Sequence, residues 1–397
     1  MSDHAPDYAF QGGRYDEAAA KLEAGLKSQE PDGRDILLYL LDLALAQHSA
    51  GKYDESIKTF LRADKMAEIK DYTSLAHEAA TLLVSENTKD YKAEDFENVL
   101  ISTYLAMNYA LIGKSEDAIV EAKRVNRKLH LMVTDGQRKY KQNAFARYLS
   151  AMLYEGDGNY NDAYVDYKEA HKLAPSFPGL GLDLWRCAYA LREPDEMEQW
   201  DEEYHLTKED HAQAKGAMPE TGLGEIIVLY ENGISPVKRP NPYFSSLPKF
   251  YPRYNPIYSA EVRIDGQPRA RTTPLDDIES TAIENLDEKY GGLIAKKIAG
   301  VAAKEVVGYE IGKQTNSPLL GFLAKLALYA SDQADLRSWN LLPKDLQIAR
   351  IVVAPGTYGV DVIPIGPARA MLSKTVAVAK GKKIFVDFRY MPLARYW

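Results

Sequence analysis

The sequence predicts an α+β protein. Residues 1–215 read as an all-α solenoid of helical hairpins, and residues 216–397 as a smaller mixed α/β domain with an antiparallel sheet or sandwich. Three observations carry this reading. The pattern Gly-x-[Tyr/Ser]-x-x-[Ala/Ser] recurs four times in the first half, each time between two runs of helical period. Near residue 216 it gives way to apolar runs bounded by Gly and Pro. The chain then ends in alternating segments of strand character. Its 397 residues are comfortable for two cores.

The four signatures are Gly13-Tyr15-Ala18, Gly51-Tyr53-Ser56, Gly113-Ser115-Ala118 and Gly158-Tyr160-Ala163. Gly lets the chain leave the first helix in a left-handed conformation. Tyr fills the crook of the hairpin, and the small residue lets the second helix approach the first. Phe60 and Tyr167, four residues further, face the same side one turn on. Pro175 ends the fourth unit. Successive Gly positions are 38, 62 and 45 residues apart, so insertions are expected around 70–95 and 130–142. After Pro175, GLGLDLWRCAYAL and PDEMEQWDEEYHLTKEDH read as two more helices that cover the apolar end of the stack. The Gly, Tyr, Ala, aromatic, Ala, Pro order across Gly158–Pro175 resembles the tetratricopeptide repeat. The match is good in the fourth unit, fair in the second and degraded in the first and third.

In the second half, Glu225–Tyr230 reads as a strand. The segment 235–258 carries six Pro, six aromatics, four basic residues and no acid, so it is expected to be extended and partly polyproline-like. YSAEVRID at 258–265 alternates as a strand. Thr273-Pro274-Leu275-Asp276 reads as a helix start with Thr273 as N-cap. That helix is expected to break near Gly291-Gly292 and resume as a core helix. There Gly291, Ala295, Ala299 and Ala303 form a ridge for close packing, beside Ile294, Ile298, Ala302 and Val306, with Lys296, Lys297, Lys304 and Glu305 on the opposite arc. LQIARIVVA, TYGVDVIPI, KTVAVA and KIFVDFRYM read as strands, the last two joined by a KGKK hairpin.

Two blocks, 223–238 and 334–362, resemble a family of uncharacterised bacterial envelope lipoproteins in which a tetratricopeptide-like half precedes such a domain. Ala334, Asp335, Arg337, Ser338, Trp339, Leu342, Pro343 and Arg350 carry that resemblance in order. It implies a periplasmic or outer-membrane-associated location and no particular reaction. The family's usual anchor is an N-terminal lipid-bearing Cys; any such anchor lies outside the sequence given. Residues 1–14 are polar and do not read as a secretory leader. The longest greasy stretch, 318–330, is too short for a span and contains Lys325.

Chemistry-bearing motifs are scarce. The net charge of −8 argues against a general affinity for nucleic acid. Cys187, the single cysteine, sits in an apolar helical run and reads as a buried small residue. His205 and His211 fall on different helix faces, and no HExxH or paired-Cys metal motif occurs. GYEIGKQ at 308–314 lacks phosphate-loop spacing. Asp335, Arg337 and Trp339 read as an ion pair with a Trp plugging the join between helix and sheet. No catalytic, cofactor-binding or metal-binding residues are assigned.

The functional expectation is a non-catalytic protein-binding scaffold. Its groove would be built from the first helix of each hairpin and would suit a protein or peptide. Leu41, Leu45 and His48 would line it in the second unit, Thr103, Met107 and Ala110 in the third, and Tyr148, Met152 and Glu155 in the fourth. The alternative is a groove filled by the chain's own segment, 235–258 being the candidate. In that segment Lys238, Arg239, Lys249 and Arg253 either meet an anionic glycan or acidic partner, or belong to a strap across both halves. A glycan- or peptidoglycan-binding module is the second functional class. An enzyme is the third, and it predicts a deep polar pocket at the domain junction with convergent carboxylates or His.

Overall fold

Four glycines set the architecture of the first half. Gly13, Gly51, Gly113 and Gly158 have φ of 72°, 75°, 75° and 79°, the left-handed region that side chains disfavour. The structure is a computed structural model that describes residues 5–30, 33–75, 90–134, 143–330, 333–367 and 370–392. After each glycine the next amide reaches back five residues, as Lys52 N donates to Gln47 O at 2.9 Å and Asn159 N to Tyr154 O at 2.9 Å. This closes the last turn of the first helix and reverses the chain. The hairpins are α1 (Ala5–Gln11) with α2 (Tyr15–Ser28), α3 (Ile36–Ser49) with α4 (Tyr53–Leu75), α5 (Asp95–Leu111) with α6 (Ser115–Thr134), and α7 (Ala144–Gly156) with α8 (Tyr160–Leu173).

Ala18, Ser56, Ala118 and Ala163 are fully buried where the helices meet, as are Phe60 and Tyr167 one turn on. The second helices of the middle pairs run long, to Leu75 and Thr134. Residues 76–89 and 135–142, within the two expected insertions, lie outside the described residues. Three helices, not two, follow: α9 (Leu180–Leu191), α10 (Pro194–Tyr204) and α11 (Lys208–Gly216). His205, at φ 53°, ends α10, and Thr207 with Asp210 forms the capping box that starts α11. Trp185 of α9 stacks on His211 of α11, with ring centroids 4.2 Å apart.

The second half contains two four-stranded sheets and a short hairpin. β1 (Gly224–Asn232), β6 (Thr273–Asp277), β7 (Asp345–Val353) and β10 (Lys383–Tyr390) form the first sheet in the order β10-β1-β7-β6. β4 (Ala260–Ile264), β5 (Gln267–Arg271), β8 (Gly356–Pro364) and β9 (Leu372–Val378) form the second, in the order β5-β4-β8-β9. The first is mixed, because β10 joins β1 in parallel. β2 (Val237–Pro240) and β3 (Pro248–Tyr251) pair with each other. The prolines in segment 235–258 are accommodated because this ribbon has free edges.

Ile226, Val228, Tyr230, Val262, Ile351, Val362 and Phe388 fill the space between the sheets. Ile227, Leu229, Ile348 and Phe385, on the other face of the first sheet, join the helical core. The result is helices, sheet, sheet. β1 is buried at every position because it lies in the middle layer, which is why GEIIVLYEN shows so little alternation.

Three local expectations fail. Thr273 does not cap a helix. Residues 273–277 form edge strand β6, and α12 (Ile278–Gln314) starts after Asp277, whose Oδ1 accepts from Ser280 N at 3.1 Å. The helix runs through Gly291-Gly292 unbroken for 37 residues. Each glycine costs about 1 kcal/mol against Ala and does not stop it. KGKK is no hairpin: β9 and β10 belong to different sheets, and the turn carries the chain from one to the other.

Candidate functional site

The expected groove is closed. His48, Thr103, Met107, Tyr148, Met152 and Glu155 are all buried, with Leu41, Leu45 and Ala110. None of them is presented to an outside partner. What covers them is the first sheet and the segment 333–342, not 235–258. Trp339 N donates to Glu97 Oε1 at 2.9 Å, and its ring lies 5.8 Å from Phe60 and 5.9 Å from Tyr104. Arg337 pairs with Asp335 and, across the halves, with Asp35, each at 2.7 Å. The Arg–Asp pair and Trp plug therefore stand where the sequence put them.

Two buried polar networks lock the sheet onto the helices. In the first, Ser56 Oγ donates to Ala44 O at 2.6 Å and accepts from Asn108 Nδ2 at 2.9 Å. Asn108 must therefore turn Oδ1 toward His48 Nδ1, 2.6 Å away, so Nδ1 carries a proton. His48 Nε2 faces Glu231 Oε1 at 2.8 Å and Asp387 Oδ2 at 3.6 Å, and donates there too. His48 is thus an imidazolium. Burial alone would lower its pKa, but Asp387 and Glu231 outweigh burial and push it up to about 10. Tyr104 donates to Glu231 at 2.7 Å, and Arg389 lies 3.5 Å from it.

His48, Glu231 and Asp387 also have the composition of a metal triad, their ligand atoms lying within 4.8 Å of one another. The hydrogen bonds oppose that reading. A ligand nitrogen needs a free lone pair, whereas Nε2 donates to Glu231, and Arg389 reaches that same carboxylate at 3.5 Å. One Asp387 oxygen and Arg389 Nε have no protein partner and are the loose ends of the network.

The second network centres on Arg350. Its Nε and Nη2 meet Glu225 at 2.6 and 2.9 Å, Nη2 meets Glu155 at 3.1 Å, and Nη1 meets Asp183 and Tyr167, each at 2.9 Å. Arg186 donates to Glu155 and to Asp183 at 2.5 Å each, Lys383 to Glu225 at 2.5 Å, and Tyr148 to Asp183. Three cations thus face three carboxylates. Burial would raise the Glu225 carboxyl, but Arg350 and Lys383 outweigh it and hold it at about 2. Beside this network, between α9, α11, β5 and β7, lies a cavity of about 480 Å³. A polar junction pocket with converging carboxylates therefore exists, but its carboxylates are committed to Arg, Lys and Tyr.

Segment 235–258 is a strap whose aromatics divide between anchors and exposed rings. Phe250 is buried, while Tyr243 and Tyr254 are 87% and 78% exposed. Lys238 is buried and pairs with Glu94 at 3.0 Å, which removes it from any outside partner. Arg239 and Lys249 face each other across the β2–β3 ribbon and stay exposed. Arg253 is half-buried, and burial lowers its pKa.

The most exposed apolar surface lies elsewhere. α12 and α13 (Pro318–Ala330) pack into an antiparallel arm. Gly308, Gly312 and Gly321 make that approach possible: a Cβ on Gly312 would lie 3.5 Å from the Gly321 Cα, and one on Gly321 2.5 Å from the Gly308 carbonyl. The sequence GYEIGKQ is thus the last two turns of α12. The expected burial is inverted. Lys304 is buried, while Gly291, Ala295 and Ala299 are exposed. Nine large apolar side chains of the arm are exposed, among them Ile298 at 67% and Phe322 at 57%. No described helix is long and apolar enough to cross a membrane.

No family model matches this sequence, and no curated protein does. Solved helical-repeat structures match about half of it. The crystal structure of MamA is 15% identical and covers 54% of this chain and 98% of its own, with a TM-score of 0.35. A putative kinesin light chain from Podosopora anserina with nearly identical TPR-like repeats is 15% identical and covers 53% of this chain and 94% of its own, also at 0.35. A tetratricopeptide repeat protein from Parabacteroides merdae is 17% identical and covers 53% of this chain and 70% of its own, at 0.36.

The sequence reading missed Glu225, Glu231, Asp387 and Arg389. Their signal was present: charges at odd positions in β1 and β10, interleaved with Ile227, Leu229 and Phe385, mark one strand face as both buried and charged.

Proposed function

We propose that this chain is a non-catalytic protein-binding scaffold of the bacterial cell envelope, periplasmic or outer-membrane-associated, and that its partner docks on the α12–α13 arm. The arm carries the reading: folding leaves nine large apolar side chains uncovered on one projecting element. Contiguous apolar exposure of this kind marks interaction surfaces. From 291 to 325 the arm holds five lysines and two glutamates in a chain of net charge −8, so an apolar partner surface rimmed by acids is the complement. The location rests on the resemblance of 223–238 and 334–362 alone.

The test is crosslinked capture from native envelope extracts with wild type and an Ile298→Asp/Phe322→Asp variant. A specific partner should fall at least tenfold with the variant. Equal recovery, or recovery of the native protein in the cytoplasmic fraction, overturns the corresponding half of the proposal. Concentration-dependent dimers in light scattering that the variant abolishes would replace the outside partner with a second copy.

A glycan-binding reading draws on Tyr243 and Tyr254, exposed on the strap that also carries Arg239 and Lys249. It predicts that Tyr243→Ala/Tyr254→Ala, and not the arm variant, abolishes co-sedimentation with peptidoglycan.

A further inference from the structure

The cavity beside the Arg350 network has a second wall that the locking of the halves does not use. Strand β5 is an edge strand, paired to β4 on one side, and it brings Arg269 and Arg271 to the cavity. Arg269 is the extra, unpaired residue of a bulge opposite Val262 and Arg263, and both it and Arg271 line the cavity. Among the described residues neither has a hydrogen-bond or ion-pair partner, unlike Arg186 and Arg350 on the opposite wall. The lining therefore holds four arginines against two carboxylates, Asp183 and Glu225, which are themselves already paired. The nearest acid by register, Glu261 opposite Arg271, is held by Arg263 at 2.6 Å. Phe177, Leu182 and Ile348 add apolar lining. The volume falls in the range of small-molecule sites, roughly 300–1,000 Å³.

We propose that this cavity binds a small oxyanion ligand, a carboxylate or phosphate on a compact apolar body, gripped by Arg269 and Arg271. Each guanidinium offers a planar fork that matches such a group two bonds at a time. An anion between them also relieves the repulsion of two adjacent like charges. α9 also begins at the cavity lining, at Gly179, without a side-chain cap, and its first turn carries Asp183. The competing role for two edge-strand arginines is to discourage pairing with another sheet. That role asks nothing of the cavity.

The site is independent of the arm, so the two proposals fail separately. Isothermal titration and thermal unfolding with inorganic phosphate and with succinate, at constant ionic strength set by chloride, test it. Wild type should saturate with at least one probe and melt at a higher temperature in its presence. Arg269→Gln/Arg271→Gln should weaken that probe at least tenfold without altering the melting temperature of the ligand-free protein. Ala214→Trp, which fills the cavity while leaving both arginines, should do the same to affinity. The two probes separate carboxylate from phosphate recognition. Equal affinity in wild type and the double Gln variant, or no saturation by either probe, overturns the site.

Discussion

The inner face of the helical stack and the α12–α13 arm treat the same residue types in opposite ways. On the inner face, charges are buried and matched: His48 and Arg389 against Glu231 and Asp387, and Arg350, Arg186 and Lys383 against Glu225, Glu155 and Asp183. On the arm, apolar side chains are exposed and Lys304 is inside. Repeat surfaces are commonly read as docking grooves, yet here the repeat surface is consumed by the fold and an appended helical pair is left bare. Curvature alone does not locate a binding site; what matters is which surface the chain leaves uncovered.

The largest expected effect breaks the inner face. Arg350→Ala leaves three buried carboxylates short of a counter-charge and should cost about 3–5 kcal/mol in urea unfolding. A loss below about 1 kcal/mol would mean that apolar packing, not this network, closes the groove.

The next is a pH effect. His48 titrates near 6.5 when unfolded and at about 10 when folded. Its contribution is fully present below about pH 6.5 and is lost as pH rises through about 10. Burial holds Asp345 at about 6 and Asp276 at about 7, so their neutral forms are lost at lower pH. The His48 contribution is therefore read between about pH 7.5 and 10. There the stability of wild type should fall more steeply than that of His48→Gln; parallel slopes would show that His48 is not charged in the fold.

A smaller effect tests the hairpins. Gly158→Ala meets open space but inherits φ 79°, a strain of about 1–2 kcal/mol. A melting temperature unchanged by this substitution would mean that the turn relaxes at no cost. The smallest effect sharpens the contrast. Ile298→Asp and Phe322→Asp should each change stability by less than about 0.5 kcal/mol, because the folded chain gains little from covering them. Losses as large as that of Arg350→Ala would make the arm core.

Local chemistry was the legible part. A glycine exit, a slotted aromatic and a small contact residue are fixed by spacing within ten residues, so the four hairpins could be read directly. Strand identity was also readable where Val, Ile and Tyr alternate, in β4, β8 and β10, but not in β6, whose Thr-Pro start reads as a helix cap. Pairing was not. β10 joins β1 in parallel from more than 150 residues away, and no local pattern states which strands meet. The groove residues were placed correctly on the first helices, but nothing within a helix tells whether its inner face meets solvent or the chain's own sheet. That answer lay in the partner strand, in Glu225 and Glu231 on the face of Ile227 and Leu229. The arm was misread because a ladder of small residues permits close packing without requiring it.

The middle-layer position of β1 has one more consequence. Its alternate residues belong to two cores, one shared with the helices and one with the second sheet. Cutting the chain after Gly216 would strip the trough of its lid and strand Glu155 and Asp183 without Arg350. The two halves share a core and ion pairs, so the whole chain should unfold in a single calorimetric transition rather than as two separable modules.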